Sequence, residues 1–155
     1  WWKVGGDMST IKVDTYLTRG GASEIAIDKL KGVTAAGSML VVGEGGTTTT
    51  NLQQGLAKAW LNMNGTGTVA TRDSFNIASI TDNGAGDYTG TFTNAMNTDD
   101  YVCAGEGGTG SGGTSHMILC AHLKATGSAR VTNLSDGGGA ADRNIHGWML
   151  MGDLA

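Results

Sequence analysis

Three residues of this chain that could bind a metal ion fall within one predicted strand. His116, Cys120 and His122 are separated by even numbers of residues, so their side chains would share one face of a strand over residues 116–124. Imidazole and thiolate groups are common zinc ligands. At about 3.3 Å per residue, however, the three side chains spread over roughly 20 Å. Only symmetry-related copies could bring them together, so we expect ordinary strand residues and no metal site.

A hydrolytic site is a second chemical possibility. Asp142, His146 and several serines supply the residue types of a catalytic triad, but no serine lies in a Gly-x-Ser-x-Gly turn that would expose a nucleophile. Asp99, Asp100 and Glu106 are acidic, as a glycoside hydrolase requires, but they fall in predicted loops. The sequence therefore predicts no catalytic residues and a non-enzymatic protein.

Two glycine-rich segments share only their composition with ligand-binding loops. Residues 108–113 (GTGSGG) satisfy the pattern GxGxxG, but a dinucleotide site needs a helix after this loop, and residues 116–119 favour a strand. Residues 82–87 (DNGAGD) lack the alternating ligands and the terminal glutamate of a calcium loop. Asn-Gly with neighbouring glycines predicts a hairpin turn instead. We therefore expect no cofactor.

The remaining candidates are binding residues in loops and two tryptophans. Residues 105–115 and 136–144 are glycine-rich loops which a rigid β scaffold could present to a receptor. Trp60 and Trp148 could each stack on a sugar ring through the apolar face of the indole, although packing in the core or at a subunit interface is favoured. The candidate contact residues in the loops are Thr109, Ser111, Thr114, Asp136, Asp142 and Arg143.

Composition excludes several classes of protein. The 155 residues carry a net charge of −4 without a basic stripe, so the chain lacks the electrostatic signature of a nucleic-acid-binding protein. No run approaches the roughly 18 apolar residues of a membrane span, and we expect no membrane insertion. A chain with 27 glycines, no proline and 39% hydrophobic residues predicts a small core. Burial between identical subunits would then supply part of the stability.

The N-terminal part of the chain is predicted to be an arm. Residues 1–7 fit no element that follows, and residues 3–8 can be back-translated into a ribosome-binding sequence with a start codon; we expect a non-native or mis-annotated leader. Residues 8–50 would form a β arm and a Gly/Thr linker, with the linker at residues 43–50. Short strands of the arm are predicted at residues 11–17, 24–28 and 39–42.

A short helix is predicted after the arm. Thr50 or Asn51 can cap a helix over residues 51–58. Leu52, Leu56 and Ala59 would form one apolar stripe along it. This stripe could line a neck of three chains, or it could rest on the domain that follows.

Residues 59–155 have the pattern of an all-β domain. Tyr88 and Phe92 alternate with Thr89 and Thr91, which predicts a half-buried strand with one wet threonine face. Several short strands without a long helix between them predict a β-sandwich or jelly roll. Further strands are predicted at residues 60–64, 69–72, 74–80, 101–104, 116–124, 128–134 and 145–151. Cys103 and Cys120 would lie in two of these strands, as small buried side chains or as a bridged pair.

Part of this domain resembles a module of bacteriophage tail fibres and related virion surface proteins. The resemblance rests on three blocks, at residues 59–67 (AWLNMNGTG), 74–76 (SFN) and 79–88 (SITDNGAGDY), and on the spacing between them. It implies a structural protein on the surface of a phage particle, of the kind that contacts a host receptor. It transfers no binding residues to this chain.

Two functions follow as expectations. The first is a non-enzymatic virion component, a tail fibre or spike. It would assemble as a homotrimer, join other virion proteins through its N-terminal arm and bind a host-surface glycan or protein with three weak sites that add avidity. A capsid fibre or decoration protein fits the same sequence. The alternative is a virion-borne enzyme that degrades surface polysaccharide, although the chain has no repeat of solenoid period.

Overall fold

The computed structural model describes residues 39–43, 45–109, 118–135 and 137–154. The leader predicted at residues 1–7 and the strands predicted at residues 11–17 and 24–28 lie outside the described residues. No helix in the described ranges is long and apolar enough to cross a membrane. The elements are β1 (Leu40–Val42), β2 (Thr49–Asn51), α1 (Leu52–Gly55), β3 (Ala57–Asn64), β4 (Ala70–Phe75), β5 (Ile77–Gly84), β6 (Asp87–Phe92), β7 (Val102–Gly108), β8 (Ile118–Ala125), β9 (Ser128–Leu134) and β10 (Ile145–Met151).

The segment predicted as a linker contains a strand. Thr49 and Thr50 belong to β2, which pairs antiparallel with β1, so a linker over residues 43–50 is wrong at its C-terminal end. Gly46 adopts φ 76°, a conformation that glycine takes without steric cost, and its N–H donates to the carbonyl of Gly43 at 2.8 Å. This turn brings the β-branched threonines back along β1, and β-branched residues favour strands.

The helix is present but shorter than predicted. The Asn51 carboxamide caps α1 by accepting two backbone N–H bonds at 2.8 and 3.3 Å, as the sequence predicted. The helix ends at Gly55, because Leu56 is already extended (φ −94°, ψ 141°). Ala59 belongs to β3 and is buried in the core, so the apolar stripe of Leu52, Leu56 and Ala59 does not form. Glycine is a poor helix residue, and the strand pattern extends further towards the N-terminus than expected.

Eight strands form two four-stranded sheets. The front sheet has the order β4-β3-β10-β7, and the back sheet has the order β5-β6-β9-β8. All neighbouring strands are antiparallel. The predicted all-β sandwich is therefore confirmed, with a short helix and an N-terminal hairpin beside it.

The core lies between the two sheets. Tyr88 and Phe92 are buried in it, whereas Thr91 is exposed, so the predicted alternation of β6 is confirmed. The rings of Phe92 and Tyr101 meet edge to face, with centroids 6.0 Å apart. The other buried apolar residues are Ala59, Leu61, Met63, Met96, Ala129, Val131, Trp148 and Leu150.

The chain passes from the front sheet to the back sheet at Asn76. This residue has φ 60°, and its side chain bonds to the carbonyls of Lys58 and Asn94 and to the N–H of Asn94. The single strand predicted over residues 74–80 is therefore wrong. Phe75 is half exposed on the front sheet, whereas Ile77 packs against the core from the back sheet.

Candidate functional site

The outer faces of the two sheets differ in chemistry. The outer face of the back sheet is mostly polar, with Leu123 as its one large exposed apolar side chain among the described residues. Its polar residues in register are Ser79, Thr81, Thr89, Thr91, Ser128, Arg130 and Thr132. The outer face of the front sheet is rich in apolar residues, with Trp60, Phe75, Val102, Ala104, Met149 and Met151 in register. Contiguous apolar surface on a folded domain is typical of an interaction site. The outer face of the front sheet is therefore the better candidate for binding a ligand or partner.

A depression lies near the centre of this face, around Gly147 of β10. Gly147 pairs with Asn62 of β3 on one side and with Glu106 of β7 on the other. A Cβ atom at Gly147 would lie only 3.1 Å from Glu106 Oε1 and 3.2 Å from Glu106 Cγ. The absence of a side chain thus lets Glu106 lean across the strand. We call the depression, about 460 Å³ in volume, the Gly147 groove; it is lined by Trp60, Leu61, Asn62, Ala104, Gly105, Glu106, Gly147, Trp148 and Met149.

The two tryptophans that the sequence offered as sugar platforms have different environments. Trp60 is half buried on the outer face of β3 and lines the Gly147 groove. The Trp148 side chain points inward and is only 3% exposed. A Cβ atom at Gly90 would lie 2.7 Å from Trp148 Cζ2, so the indole packs directly on the back sheet. Trp148 is therefore a core residue, and only Trp60 of this pair can offer its ring to a ligand.

Acidic side chains border the groove on both sides. Glu106 is exposed and has no ion pair or hydrogen bond with other described residues. Asp73 is the register partner of Asn62 on β4. The nearby cation, Arg72, donates to the Met63 carbonyl at 2.8 Å, to Asn62 Oδ1 at 3.4 Å and also to the side chain of Asn144. The groove therefore combines an aromatic ring, an amide and the Glu106 carboxylate, and the amide and carboxylate oxygens can accept hydrogen bonds from hydroxyl groups.

Two of the predicted loop contacts hold the loop to the sandwich. Asp142 Oδ1 accepts hydrogen bonds from Tyr88 Oη at 2.7 Å and from the N–H of Gly86 at 2.6 Å. Burial, together with the Asp142 carboxylate, raises the pKa of Tyr88. The carbonyl of Arg143 accepts from the N–H of Gly65 at 2.8 Å. A role of Asp142 and Arg143 in binding stays a prediction, but both residues form structural contacts.

The other predicted loop contacts are only partly placed. Thr109 follows β7 and is half buried. Ser111, Thr114 and Asp136 lie outside the described residues. The loop candidates within the described residues do not line the groove beside Trp60.

A buried polar cluster between the sheets was not predicted from the sequence. His146 and Asn133 are both 0% exposed, and their side-chain nitrogen and oxygen atoms have no hydrogen-bond partner among the described residues. A Cβ atom at Gly107 would lie 2.7 Å from Asn133 Oδ1, and Gly107 is the register partner of His146. Burial lowers the pKa of His146 to about 4, so its imidazole is neutral near pH 7. Because neither ring nitrogen bonds to Asp142, no catalytic triad forms from these two residues.

Within the described part of the chain, possible metal ligands are not clustered either. The described ranges contain no group of three or more His, Cys, Asp or Glu side chains that could hold an ion. His122 Nδ1 is 2.9 Å from Thr132 Oγ1. His116 lies outside the described residues, as does the side chain of Cys120. Cys103 is half buried and packs against the core.

The Gly147 groove is thus the arrangement with the clearest capacity to bind a ligand. The sequence of β3 indicates on which face of the sheet Trp60 lies, because Trp60 alternates with the core residues Leu61 and Met63. The role of Glu106 in the groove could not be predicted, because the pairing of β7 with β10 cannot be read from the sequence.

The chain matches no protein family model, no curated protein and no solved structure.

Proposed function

We propose that this chain is a non-enzymatic structural protein of a bacteriophage virion, a tail fibre or spike, and that its β-sandwich attaches the particle to the host surface. Residues 59–88, which resemble virion surface fibres, form β3, β4, β5 and the start of β6. Trp60 and Asn62 of this segment line the Gly147 groove. The exposed groove on a rigid sheet is the observation that carries the proposal, because shallow sites with a few convergent polar groups suit recognition.

Contact between copies is the second part of the proposal. Five exposed apolar side chains lie towards the end of the front sheet where β3 begins and β10 ends: Leu56, Phe75, Val102, Met151 and Leu154. We call them the apolar end. Each Å² of apolar surface that is removed from water stabilises a protein or complex by about 25 cal/mol, so burial of these side chains would be favourable. Sister chains in a homotrimer would cover the apolar end, and three copies of the groove on one body would gain avidity.

The N-terminal arm, residues 8–50, is proposed to join the domain to other virion proteins. The sandwich would then be the part that faces the host, with a surface glycan or protein as its receptor. A capsid fibre or decoration protein would use the same groove from another position on the particle.

Immunogold electron microscopy of the particles that encode the chain tests this function. An antibody raised against the purified protein should label the tail, and the purified protein should compete with the particles for adsorption to host cells. Label on the capsid would favour the decoration protein, and unlabelled particles would reject a virion component. Shortened polysaccharide chains after incubation with the protein would favour the enzymatic alternative.

A further inference from the structure

We propose that the Gly147 groove binds a neutral hexose unit of a glycan, with the Trp60 indole as the stacking surface and with Glu106 and Asn62 as the hydrogen-bonding groups. This inference names a ligand class for the attachment site and rests on the proposed function only for the source of the glycan. The ligand class is argued from the residues of the groove and does not depend on where the protein lies on a particle.

The size of the groove fits a small ligand. Its volume of about 460 Å³ falls within the range of roughly 300–1,000 Å³ that is typical of small-molecule sites. The site lies on the exposed face of a sheet rather than in a closed cavity, so a sugar unit can enter while the rest of its chain stays in solvent.

Trp60 supplies a fixed apolar surface. Its register partners on the same face are Phe75 of β4 and Met149 of β10, and these flank the indole on both sides. An aromatic ring presents a broad apolar face with a negative quadrupole, to which the C–H groups of a sugar ring are complementary. The Trp60 side chain is already half buried, so less side-chain entropy is lost on binding than for a fully exposed side chain.

Asn62 and Glu106 supply the polar contacts. They flank Gly147 from opposite sides, and the two strands that carry them are roughly 10 Å apart, twice the spacing between neighbouring strands. The Glu106 side chain reaches into this interval over Gly147. A carboxylate can accept hydrogen bonds from two hydroxyl groups, and an amide can both donate and accept. Vicinal hydroxyl groups of a hexose match this set.

The charge of the groove selects against acidic sugars. Glu106 and Asp73 belong to one row across the sheet, on either side of Asn62 and Gly147. The guanidinium of Arg72 donates to Asn62 Oδ1 at 3.4 Å, to the Met63 carbonyl and to the Asn144 side chain, so its N–H groups are engaged and the two carboxylates of the row outnumber it. A uronic acid, a sialic acid or a phosphorylated sugar would place its charge beside these carboxylates, which is repulsive. The ligand class is therefore a neutral hexose, with or without an N-acetyl group.

A glycan array probed with the full 155-residue protein tests the site. The array should carry neutral glucose, galactose, mannose and N-acetylhexosamine oligosaccharides beside polygalacturonate and polysialic acid. We expect binding to at least one neutral glycan and none to the acidic ones. Preference for acidic glycans, or no binding to any neutral glycan, overturns the proposal.

Calorimetry with the best neutral glycan then assigns the residues. Trp60→Ala should weaken binding by about tenfold or more because it removes the stacking surface. Leu123→Ala is the control, since Leu123 is a large apolar side chain, 58% exposed, that lies on the outer face of the back sheet and does not line the groove. Equal losses from the two variants would overturn the assignment, as would conversion of the Trp60→Ala protein to a different oligomeric state, which would place Trp60 itself in the subunit contact.

Two further variants keep the test valid if Trp60→Ala does not fold. Gly147→Ala should displace the Glu106 carboxylate and weaken binding without lowering the melting temperature. Glu106→Gln keeps hydrogen-bonding capacity but removes the charge, and it should raise the binding of acidic glycans relative to neutral ones. Unchanged affinity and selectivity in both variants would contradict the site.

The glycan array and the virion labelling test the sugar site and the attachment function separately, so either proposal can fail without the other. A protein that labels the particle but binds no neutral glycan overturns the sugar site and leaves the attachment function standing. A protein that binds neutral glycans but is absent from particles overturns the attachment function and leaves the sugar site standing.

Discussion

The indole of Trp148 packs directly on the backbone of Gly90, and this contact joins the two sheets at the centre of the core. A Cβ atom at Gly90 would lie 2.7 Å from Trp148 Cζ2 and 2.9 Å from Trp148 Cη2. Both residues are buried, and the tryptophan is held within the front sheet by pairing with β3 and β7. The position opposite Trp148 therefore requires a residue without a side chain.

Gly90→Ala should lower the free energy of unfolding by about 1–3 kcal/mol, the usual cost of an overpacked core. Gly127→Ala is the control, because a Cβ atom there would meet no atom within 4 Å. Urea denaturation of both variants measures the difference. Equal stability of the two proteins would mean that the indole has room to move away.

Phe92→Ala should lower the free energy of unfolding by about 3–5 kcal/mol, since it leaves a cavity beside Tyr101 in a small core. Thr91→Ala on the outer face of the back sheet should cost less than about 0.5 kcal/mol. Thermal melts of the two variants provide the comparison. Similar melting temperatures of the two variants would contradict the assignment of Phe92 to the buried face of β6 and of Thr91 to its exposed face.

The sequence predicted the strands better than it predicted their ends. Alternation identified β6, because side-chain parity is a local property. The hairpin predicted at residues 82–87 is present, but Asn83 and Gly84 belong to β5 and the turn itself is Ala85-Gly86. The break at Asn76 was missed, since a positive φ at asparagine is decided by tertiary hydrogen bonds to Lys58 and Asn94. The helix was overextended because strand pairing overrode a weak helical pattern at residues 56–58.

The candidate site was only partly predictable for a similar reason. Trp60 alternates with Leu61 and Met63, which indicated its side of β3. Trp148 carried no such signal, because Met149 and Leu150 next to it make both faces of β10 apolar. The groove itself depends on the pairing of three strands distant in sequence, and long-range register is not encoded in local spacing.

Asp142→Ala should lower the free energy of unfolding by about 1–2 kcal/mol, because it removes the charged acceptor of the Gly86 N–H, whereas Tyr88 Oη keeps the Gly65 carbonyl as an acceptor at 3.0 Å. Asp100→Ala removes an exposed carboxylate and should be nearly neutral. Chemical denaturation compares the two. Equal stability of both variants would mean that the Asp142 contacts do not hold the loop to the sandwich.

Acid should destabilise the domain partly through His146. Its pKa in the folded protein is about 4, against about 6.5 in the unfolded chain, so between these values the unfolded state binds a proton that the folded state does not. Stability is therefore full above pH 6.5, falls as the pH drops towards 4, and loses about 3 kcal/mol in all. His146→Phe should flatten this dependence in melts from pH 4 to 7.5.

The exposed His122 provides the control for this pH dependence. His122→Gln should retain the slope between pH 4 and 6.5, because its imidazole lies on the outer face. The ion pair of Asp87 with Arg130, at 2.6 Å, lowers the pKa of Asp87 and adds a further loss of stability at lower pH in every variant. A slope that persists in His146→Phe would assign the acid sensitivity to other groups.

Val102→Glu should separate the proposed trimer into monomers. Val102 is 66% exposed in the single chain and belongs to the apolar end, where a carboxylate buried between sister chains would be strongly unfavourable. Light scattering should give three times 15.8 kDa for the unmodified protein and 15.8 kDa for the variant. Thr91→Glu, on the polar outer face of the back sheet, should leave the mass at the trimer value. A monomer at micromolar concentration for the unmodified protein would contradict the homotrimer, and a trimer that survives Val102→Glu would place the subunit contact away from the apolar end.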